Sequence, residues 1–415
     1  MKFQSLRGMQ DIFQSDSKKW HQLRQAYQLV LNRYGIGEVQ NPILENLNLF
    51  VRTVGDSSDI VNKELYSFQD RNGDFIALRP EGTAGFIRSI IEKKIEHESH
   101  KAYYAGPMFR YERPQKGRFR QFHQLGVEYV GFPEGDADLE IISIVADLLE
   151  ELGISQKAVI HINHLGSSEV KQQYCNVLKE FLMDYKDSLS EIDQKRLESN
   201  PLRVLDSKDE SAQDILALKE VPRYEEFLTE EHLQLLNDIN DTFQERVDIS
   251  IDHKLVRGLD YYTGLVFEVL SNELGAQDSF IGGGRYDNLI SELGGKEQSA
   301  IGFAVGLDRL LTLFEPSNED RKKIIFINLA GSNRHHAYKI ASNIRALSKK
   351  VSVESILTDA SLKSQLRKAN KLGGDFALII GDDEITSGNF IWKDLNEGTQ
   401  EIVTLEQLTG KITQL

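Results

Sequence analysis

Residues 110–120 hold five cations, Arg110, Arg113, Lys116, Arg118 and Arg120, against one anion, Glu112. They lie in the stretch "FRYERPQKGRFRQFHQLGVEYVG", Phe109–Gly131. A guanidinium presents a planar fork of donors that matches two oxygens of a phosphate or carboxylate, so this segment is suited to an anionic ligand. Beyond its turn, strand alternation puts Phe122, Gln124, Gly126 and Glu128 on one face and His123, Leu125, Val127 and Tyr129 on the other. The second face is mostly apolar and suits a core. The first offers a ring, an amide, a gap and a carboxylate, which suits a pocket floor, with Gly126 leaving room for something to lie against the sheet. A two-sided hairpin with a polar solvent face accounts for the same pattern.

Two further clusters carry chemistry. In "LVRGLDYYTGLVFEVL", Leu255–Leu270, Arg257 precedes Asp260, Tyr261 and Tyr262. An arginine beside paired phenols either clamps a phosphate with hydrogen-bonding help or forms a stacked surface patch. In "GGGRYDNLI" and "IGFAVGLDRLLTLF" small residues let a backbone or flat ligand approach, and Arg309 falls in the first turn of a helix, where an ion pair along the helix face is the plainer reading. A P-loop, a dinucleotide fingerprint, H-E-x-x-H and an EF-hand are all missing from the sequence.

The elements that must position these residues are legible in outline. Ser15 or Asp16 caps a first helix in which Trp20, Leu23, Tyr27, Val30 and Tyr34 recur at helical spacing, and Gly35 and Gly37 end it. "EVQNPIL" is a short strand broken by Pro42, which places it at a sheet margin or an interface. "KAYYAGPMFRYE" and "FRQFHQLGVEYVG" are two strands joined by the 113–118 turn, and "DADLEIISIVADLLEELGI" is an amphipathic helix. Residues 167–245 turn to Glu, Lys, Gln and Leu at helical spacing and read as a helical insertion; strands resume with "VDISIDH" and "LVFEVL". After the polar linker "EPSNED", strands and helices alternate, which predicts a small α/β domain with largely parallel strands.

Composition bounds the class. The 415 residues imply more than one domain, and no run approaches the roughly 20 apolar residues of a membrane span. "MKFQSLRGMQDIF" lacks the apolar core of a secretory signal. The lone Cys175 excludes an internal disulfide and a multi-cysteine zinc site, so a cytoplasmic location is the expectation. The formal charge of −15 argues against indiscriminate nucleic-acid coating. Residues 321–415, however, carry 14 Lys+Arg and 10 Asp+Glu, a mildly basic module on an acidic body. Such a module suits an anionic partner met at chosen places, and chance asymmetry of a solvated surface fits as well.

Taken together, strand–turn–strand with F-R-x-E and strand–helix with G-L-D-R-L resemble motifs 2 and 3 of the class II aminoacyl-tRNA synthetases, and "YGIGEVQNPIL" resembles motif 1, their dimer-forming helix and strand. "LVRGLDYYTG" with "GGGRYD", and also "RGMQD", "LRPEGTAG" and "NPLRVLDSK", are similar to the histidyl-tRNA synthetase family. Asp308 stands where the class usually has Glu, which keeps the charge. The resemblance covers nearly the whole chain. It implies an α+β fold, an antiparallel sheet flanked by helices with a helical insertion and a C-terminal α/β domain. The expected parts are a catalytic domain in two pieces, 1–166 and 246–315, the insertion at 167–245 and an anticodon-binding domain at 321–415.

The implied activity is ATP-dependent activation of L-histidine to histidyl-adenylate and transfer to the 3′ end of histidine tRNA by a homodimer, with Mg²⁺ accompanying ATP. By resemblance, Arg110 bridges the histidine carboxylate and the α-phosphate, and Arg257 contacts that phosphate from the other side. Glu112 reads adenine, Phe122 and Arg309 sandwich it, and Arg118 holds the γ-phosphate. Glu81, Thr83 and Gln124 receive the α-ammonium, Glu128 and Tyr262 the imidazole, and Tyr261 closes the site. Arg113 and Gln115 read the tRNA acceptor end. No protein metal ligand is assigned. Two other readings are a synthetase-like regulatory subunit of histidine biosynthesis, which lacks the anticodon domain, and a prolyl or threonyl enzyme, which lacks the two signature blocks.

Overall fold

The computed structural model describes residues 3–55, 58, 60–115, 117–218, 220–275, 278–316, 322–348 and 350–415, without the side chains of Gln14 and Ser15. Lys116 and most of the 315–320 linker therefore lie outside the described residues. The chain divides into two compact units, Met1–Pro316 and Ser317–Leu415.

In the first unit α1 (Gln14–Arg33) precedes β1 (Gly37–Glu38), β2 (Leu44–Asn46), α2 (Leu47–Val54), β3 (Ser67–Gln69), β4 (Phe75–Leu78) and α3 (Thr83–Lys93). Then come β5 (His100–Phe109), β6 (Gln121–Val130), α4 (Asp136–Glu151) and β7 (Val159–His164). The stretch from Ser168 to Phe243 is helical: α5 (Ser168–Met183), α6 (Glu191–Ser199), α7 (Leu202–Leu205), α8 (Glu210–Leu216) and α9 (Glu230–Phe243). The unit closes with β8 (Asp248–Ile251), β9 (Thr263–Leu270), β10 (Ser279–Arg285), α10 (Leu289–Glu292), β11 (Ala300–Gly306) and α11 (Leu307–Leu313).

Among the described residues eight strands form one sheet in the order β1-β5-β6-β11-β10-β9-β7-β8. Its pairs are antiparallel except β1–β5 and β7–β8. One face packs on α1, α4, α9 and α11 through Leu125, Val127, Tyr129, Ile141, Val145 and Phe267. On the opposite face Tyr104, Met108 and Val130 join α3 and the helical segment through Phe86, Ile87, Tyr174 and Leu178. The period-2 pattern of β6 sets this division, because odd-numbered side chains from Leu125 enter the first core and even-numbered ones face the second.

One local expectation is corrected. The first helix begins at Gln14, ahead of Ser15 and Asp16, with Phe13 at the cap position and no side-chain cap. Its apolar stripe is covered within the chain: Leu23, Tyr27, Val30 and Leu31 are buried in the α4 core. Tyr34 also donates to Asp147 of α4 at 2.8 Å. By contrast the small sheet β2-β4-β3 leaves Leu44, Phe68 and Phe75 exposed, beside Ile43.

The second unit runs β12 (Lys322–Asn328), α12 (Arg334–Leu347), β13 (Val351–Ser355), α13 (Leu362–Lys371), β14 (Phe376–Ile380), α14 (Asp382–Ser387), β15 (Asn389–Asp394), β16 (Gln400–Thr404) and α15 (Leu405–Gln414). Strands β13-β12-β14 are parallel, but β14-β15-β16 are antiparallel. The connections explain the switch: α14 and the turn before β16 are too short for the crossover of a dozen or more residues that parallel neighbours require. No helix among the described residues is long and apolar enough to cross a membrane.

Candidate active site

A cavity of about 260 Å³ opens on the sheet face opposite α1 and α4. Its lining includes Glu81, Thr83, Arg110, Glu112, Arg118, Phe122, Gln124, Glu128, Arg257, Tyr261, Tyr262 and Arg309. Side chains from β6, the loop before it, the segment before β9 and the first turn of α11 thus meet in one space. Arg113 and Gln115 do not: they are exposed in the loop, where Gln115 and Arg118 exchange backbone hydrogen bonds to make the turn.

The floor is hollow because its central positions are small. Glu128 pairs across the ladder with Gly302, and a Cβ there would sit 1.9 Å from the Glu128 carboxylate. Arg257 lies over Gly282, where a Cβ would sit 2.0 Å from its guanidinium. Gly126 has a different use from the expected one. The ring of Tyr104, on the neighbouring β5, fills the space above it, 2.1 Å from where a Cβ would be. The gap in the strand pattern is occupied by the protein itself.

Glu128 is 1% exposed and accepts three hydroxyl hydrogen bonds, from Thr83 (2.6 Å), Tyr104 (3.1 Å) and Tyr286 (2.5 Å). Burial outweighs these donors and pushes its carboxyl up to about 8. Glu81 accepts the backbone N–H groups of Thr83 (2.6 Å) and Ala84 (2.9 Å) at the start of α3, and burial raises its pKa too. Gln124 Oε1 is buried with no hydrogen-bond partner among the described residues.

Four arginines surround this carboxylate-lined floor. Arg110 donates from Nε to the Pro80 carbonyl (2.9 Å) and lies over the Phe122 ring, 5.3 Å from its centroid. Arg118 pairs with Glu112, and Arg309 donates to the Ser279 carbonyl. Burial lowers the pKa of all three, and each feels repulsion from another cavity arginine: Arg110 from Arg257, Arg118 from Arg309 and Arg110, Arg309 from Arg110. Arg257 is the exception. Burial pulls its pKa down, but Glu268, 2.6 Å away, together with Tyr262 and Asp206 more than offsets this and the net shift is upward. Its Nε is buried with no hydrogen-bond partner among the described residues. The arrangement therefore concentrates positive charge that an anion would relieve.

Sequence reasoning missed Tyr104, Tyr286 and His123. Tyr286 lies inside "GGGRYD", and Tyr104 would follow from strand register, which one sequence does not supply. His123 and Asp308 also line the cavity, and Asp308 accepts the His123 backbone N–H at 2.6 Å. The neighbouring Arg285 points away from the cavity into a buried pair with Asp138 (2.7 Å).

Elsewhere, Glu134, His164 and His232 bring possible metal-ligand atoms within 4.8 Å of one another. Their hydrogen bonds argue for a different state. Gly166 N–H donates to His164 Nδ1 (2.9 Å) and Thr229 N–H to His232 Nδ1 (3.3 Å), which leaves the ring proton on Nε2. His164 Nε2 then donates to Glu134 at 2.8 Å. With each Nδ1 occupied by a backbone N–H, these rings could reach a metal only through Nε2, which would then have to be bare with the proton on Nδ1, so the donor set fits a hydrogen-bonded cluster.

Three comparisons bear on identity. The family model described as Histidyl-tRNA synthetase matches residues 8–310, and that described as Anticodon binding domain matches residues 323–415. A curated histidine–tRNA ligase of Francisella tularensis subsp. novicida (strain U112) is 45% identical over 390 residues, 92% of each chain. The crystal structure of apo S. aureus histidyl-tRNA synthetase superposes with a TM-score of 0.81 at 28% identity, covering 99% of this chain and 100% of that one. The histidyl-tRNA synthetase structure from Nostoc sp. PCC 7120, at 20% identity and a TM-score of 0.69, shares the fold over 100% of this chain and 99% of its own.

Proposed function

The chain belongs to the histidyl-tRNA synthetase family, and we infer that its cavity activates L-histidine with ATP to histidyl-adenylate and passes the histidyl group to the 3′ end of histidine tRNA. The observation that carries this reading is the convergence of Arg110, Arg118, Arg257 and Arg309 with Glu128 in one cavity. In the first step a histidine carboxylate oxygen attacks the α-phosphorus, the bond to the β-phosphate oxygen breaks, and pyrophosphate leaves. The attacking carboxylate is already ionised, so this step needs orientation and charge neutralisation, with no general base. Arg110 and Arg257 approach the α-phosphate from two sides. Glu112, Phe122 and Arg309 hold adenine, and Arg118 takes the γ-phosphate. In the second step the terminal ribose hydroxyl of the tRNA attacks the carbonyl carbon and AMP leaves.

Histidine selection follows from acceptor counting. Once histidine binds and Glu128 ionises, its carboxylate offers about four lone-pair sites. Glu128 has given three to Thr83, Tyr104 and Tyr286, which leaves one for an imidazole N–H. The Tyr262 hydroxyl serves the bare nitrogen, and Tyr261 closes over the ring. The unpartnered Gln124 Oε1, with Glu81 and Thr83, supports capture of the α-ammonium. Amino acids lacking these groups leave buried polar atoms unpaired and are rejected.

Mg²⁺ enters as part of the nucleotide substrate, held by phosphate oxygens and water. The described carboxylates around the nucleotide position are engaged already, Glu112 by Arg118, Glu268 by Arg257 and Asp308 by the His123 N–H; we assign no protein ligand to the ion. Exposed Arg113 and Gln115 meet the tRNA acceptor end, and the 321–415 domain meets the anticodon. The exposed Ile43, Leu44, Phe68 and Phe75 support homodimerisation through the motif 1 region, and we place the enzyme in the cytoplasm. The four retained arginines and the C-terminal unit weigh against the regulatory-subunit reading. The test is amino-acid-dependent pyrophosphate exchange over an amino-acid panel, followed by charging of tRNA with labelled histidine. Activation of proline or threonine in place of histidine, or no activation at all, overturns the proposal.

A further inference from the structure

The segment that carries Arg257, Tyr261 and Tyr262 lies between Leu255 and Thr263, outside any helix or strand. Irregular backbone at a site demanding fixed geometry must be held by something other than a ladder. Here the holders come from the helical stretch 168–243. Lys171 of α5 donates from Nζ to the carbonyls of Asp260 and Tyr262, both at 2.9 Å. Arg203 of α7 donates to the Gly258 carbonyl (3.1 Å) and to Asp260 Oδ1 (3.2 Å). Asn200, between α6 and α7, donates to the same Asp260 oxygen at 2.8 Å. Arg203 is only 12% exposed along its side chain. Leu255, Val256, Tyr261 and Tyr262 share one apolar core with Leu202, Val204 and Leu205.

We propose that Lys171, Asn200 and Arg203 are positioning residues for histidine activation, gripping the 258–262 backbone so that Arg257 and the two phenols face the cavity. Glu268 fixes the guanidinium end of Arg257, and the helical segment fixes its backbone end. The insertion is thus a structural part of the activation site, and a shift of its helices misaims Arg257. This rests on the reading of Arg257 as the α-phosphate contact. Arg110, Arg118 and Arg309 are carried by other elements, so the grip bears on the histidine side and on the transition state more than on ATP binding.

The test uses the full chain with the variants K171M, R203M, R203K, D260N and R203M/D260N, alongside R257A. Pyrophosphate exchange is normalised to active sites titrated by the burst of adenylate formation, and thermal unfolding is followed in parallel. A misplacement near 1 Å predicts a fall of about ten- to a hundredfold in kcat per active site for K171M and R203M. The ATP KM should stay within about twofold, the double variant should be no worse than R203M alone, and R203K should recover part of the loss. Wild-type kcat per active site in R203K, D260N and whichever methionine variants fold overturns the proposal, even where unfolding temperatures drop. If R257A itself retains exchange, the underlying assignment of Arg257 fails; if R257A is inactive while the grip variants keep wild-type turnover, only the grip fails.

Discussion

Replacing Glu128 by Gln should make the protein more stable at neutral pH while disabling it. Burial holds the Glu128 carboxyl at about 8 instead of the ordinary 4.5. A carboxyl raised on folding contributes its full stability below 4.5, where folded and unfolded chains are both protonated, and loses it as pH climbs toward 8. Each unit between these limits costs about 1.4 kcal/mol, so at pH 7 the wild-type protein has given up roughly 3 kcal/mol. Glutamine has no charge to neutralise. Its amide NH₂ must instead face a hydroxyl that now donates to Glu128, at a cost of about 1 kcal/mol. The variant should therefore be about 2 kcal/mol more stable than wild type at pH 7 and close to parity near pH 5. Urea unfolding with no substrate added, at pH 5, 6 and 7, measures the difference. Histidine-dependent pyrophosphate exchange should fall by about a hundredfold or more, because an amide, unlike the Glu128 carboxyl, cannot ionise to pair with the imidazole N–H when histidine binds. Parallel stability–pH curves for the two proteins would refute the argument, since they would mean that Glu128 titrates alike in the folded and unfolded chain.

Arg257→Ala should lower pyrophosphate exchange by about 10²–10³-fold with the far-ultraviolet circular dichroism of the wild type; near-normal exchange removes its assignment. Arg113→Ala should weaken tRNA charging by about tenfold, ~1.4 kcal/mol, with exchange unchanged, because Arg113 lies outside the cavity; an equal loss in both assays contradicts that division. Asp138→Asn removes the nearest charge from Arg285, which is 1% exposed and keeps Asp287 at 3.2 Å, and should cost about 1–3 kcal/mol in urea unfolding. Phe68→Glu with Phe75→Glu should shift sedimentation toward monomer; an unchanged sedimentation coefficient for a dimeric wild type would put the interface elsewhere.

The sequence was most legible where one element's own periodicity sufficed. The alternation of β6 separated Phe122, Gln124 and Glu128 from Leu125 and Val127, and the structure keeps that separation. It failed where the answer lay on another strand. Gly126 reads as space for a ligand, yet Tyr104 fills it, and only the β5–β6 register reveals this. The stripe from Trp20 to Tyr34 announces an apolar face without saying what covers it, and α4 does. Alternation of strand and helix after residue 321 predicts parallel pairing, but connection lengths near residues 381–399 decide the last two strands. That Arg110 and Arg257 share a cavity comes from no local pattern at all; only the resemblance to a known family anticipated it.

The glycine-lined centre of the large sheet has a consequence for how this enzyme could change. A side chain at Gly302 would collide with the Glu128 carboxylate and the Val127 carbonyl, so that site is closed to substitution by growth, and one at Gly282 would push the Arg257 guanidinium out of place. Glycine also weakens a strand by leaving its backbone freer in the unfolded chain. The opposite face, densely filled by Leu125, Val127, Phe267 and Phe303, compensates for that weakness. Redesign for a different amino acid would have to come from the walls, where Thr83, Tyr262 and Tyr286 stand, while the basement stays as it is.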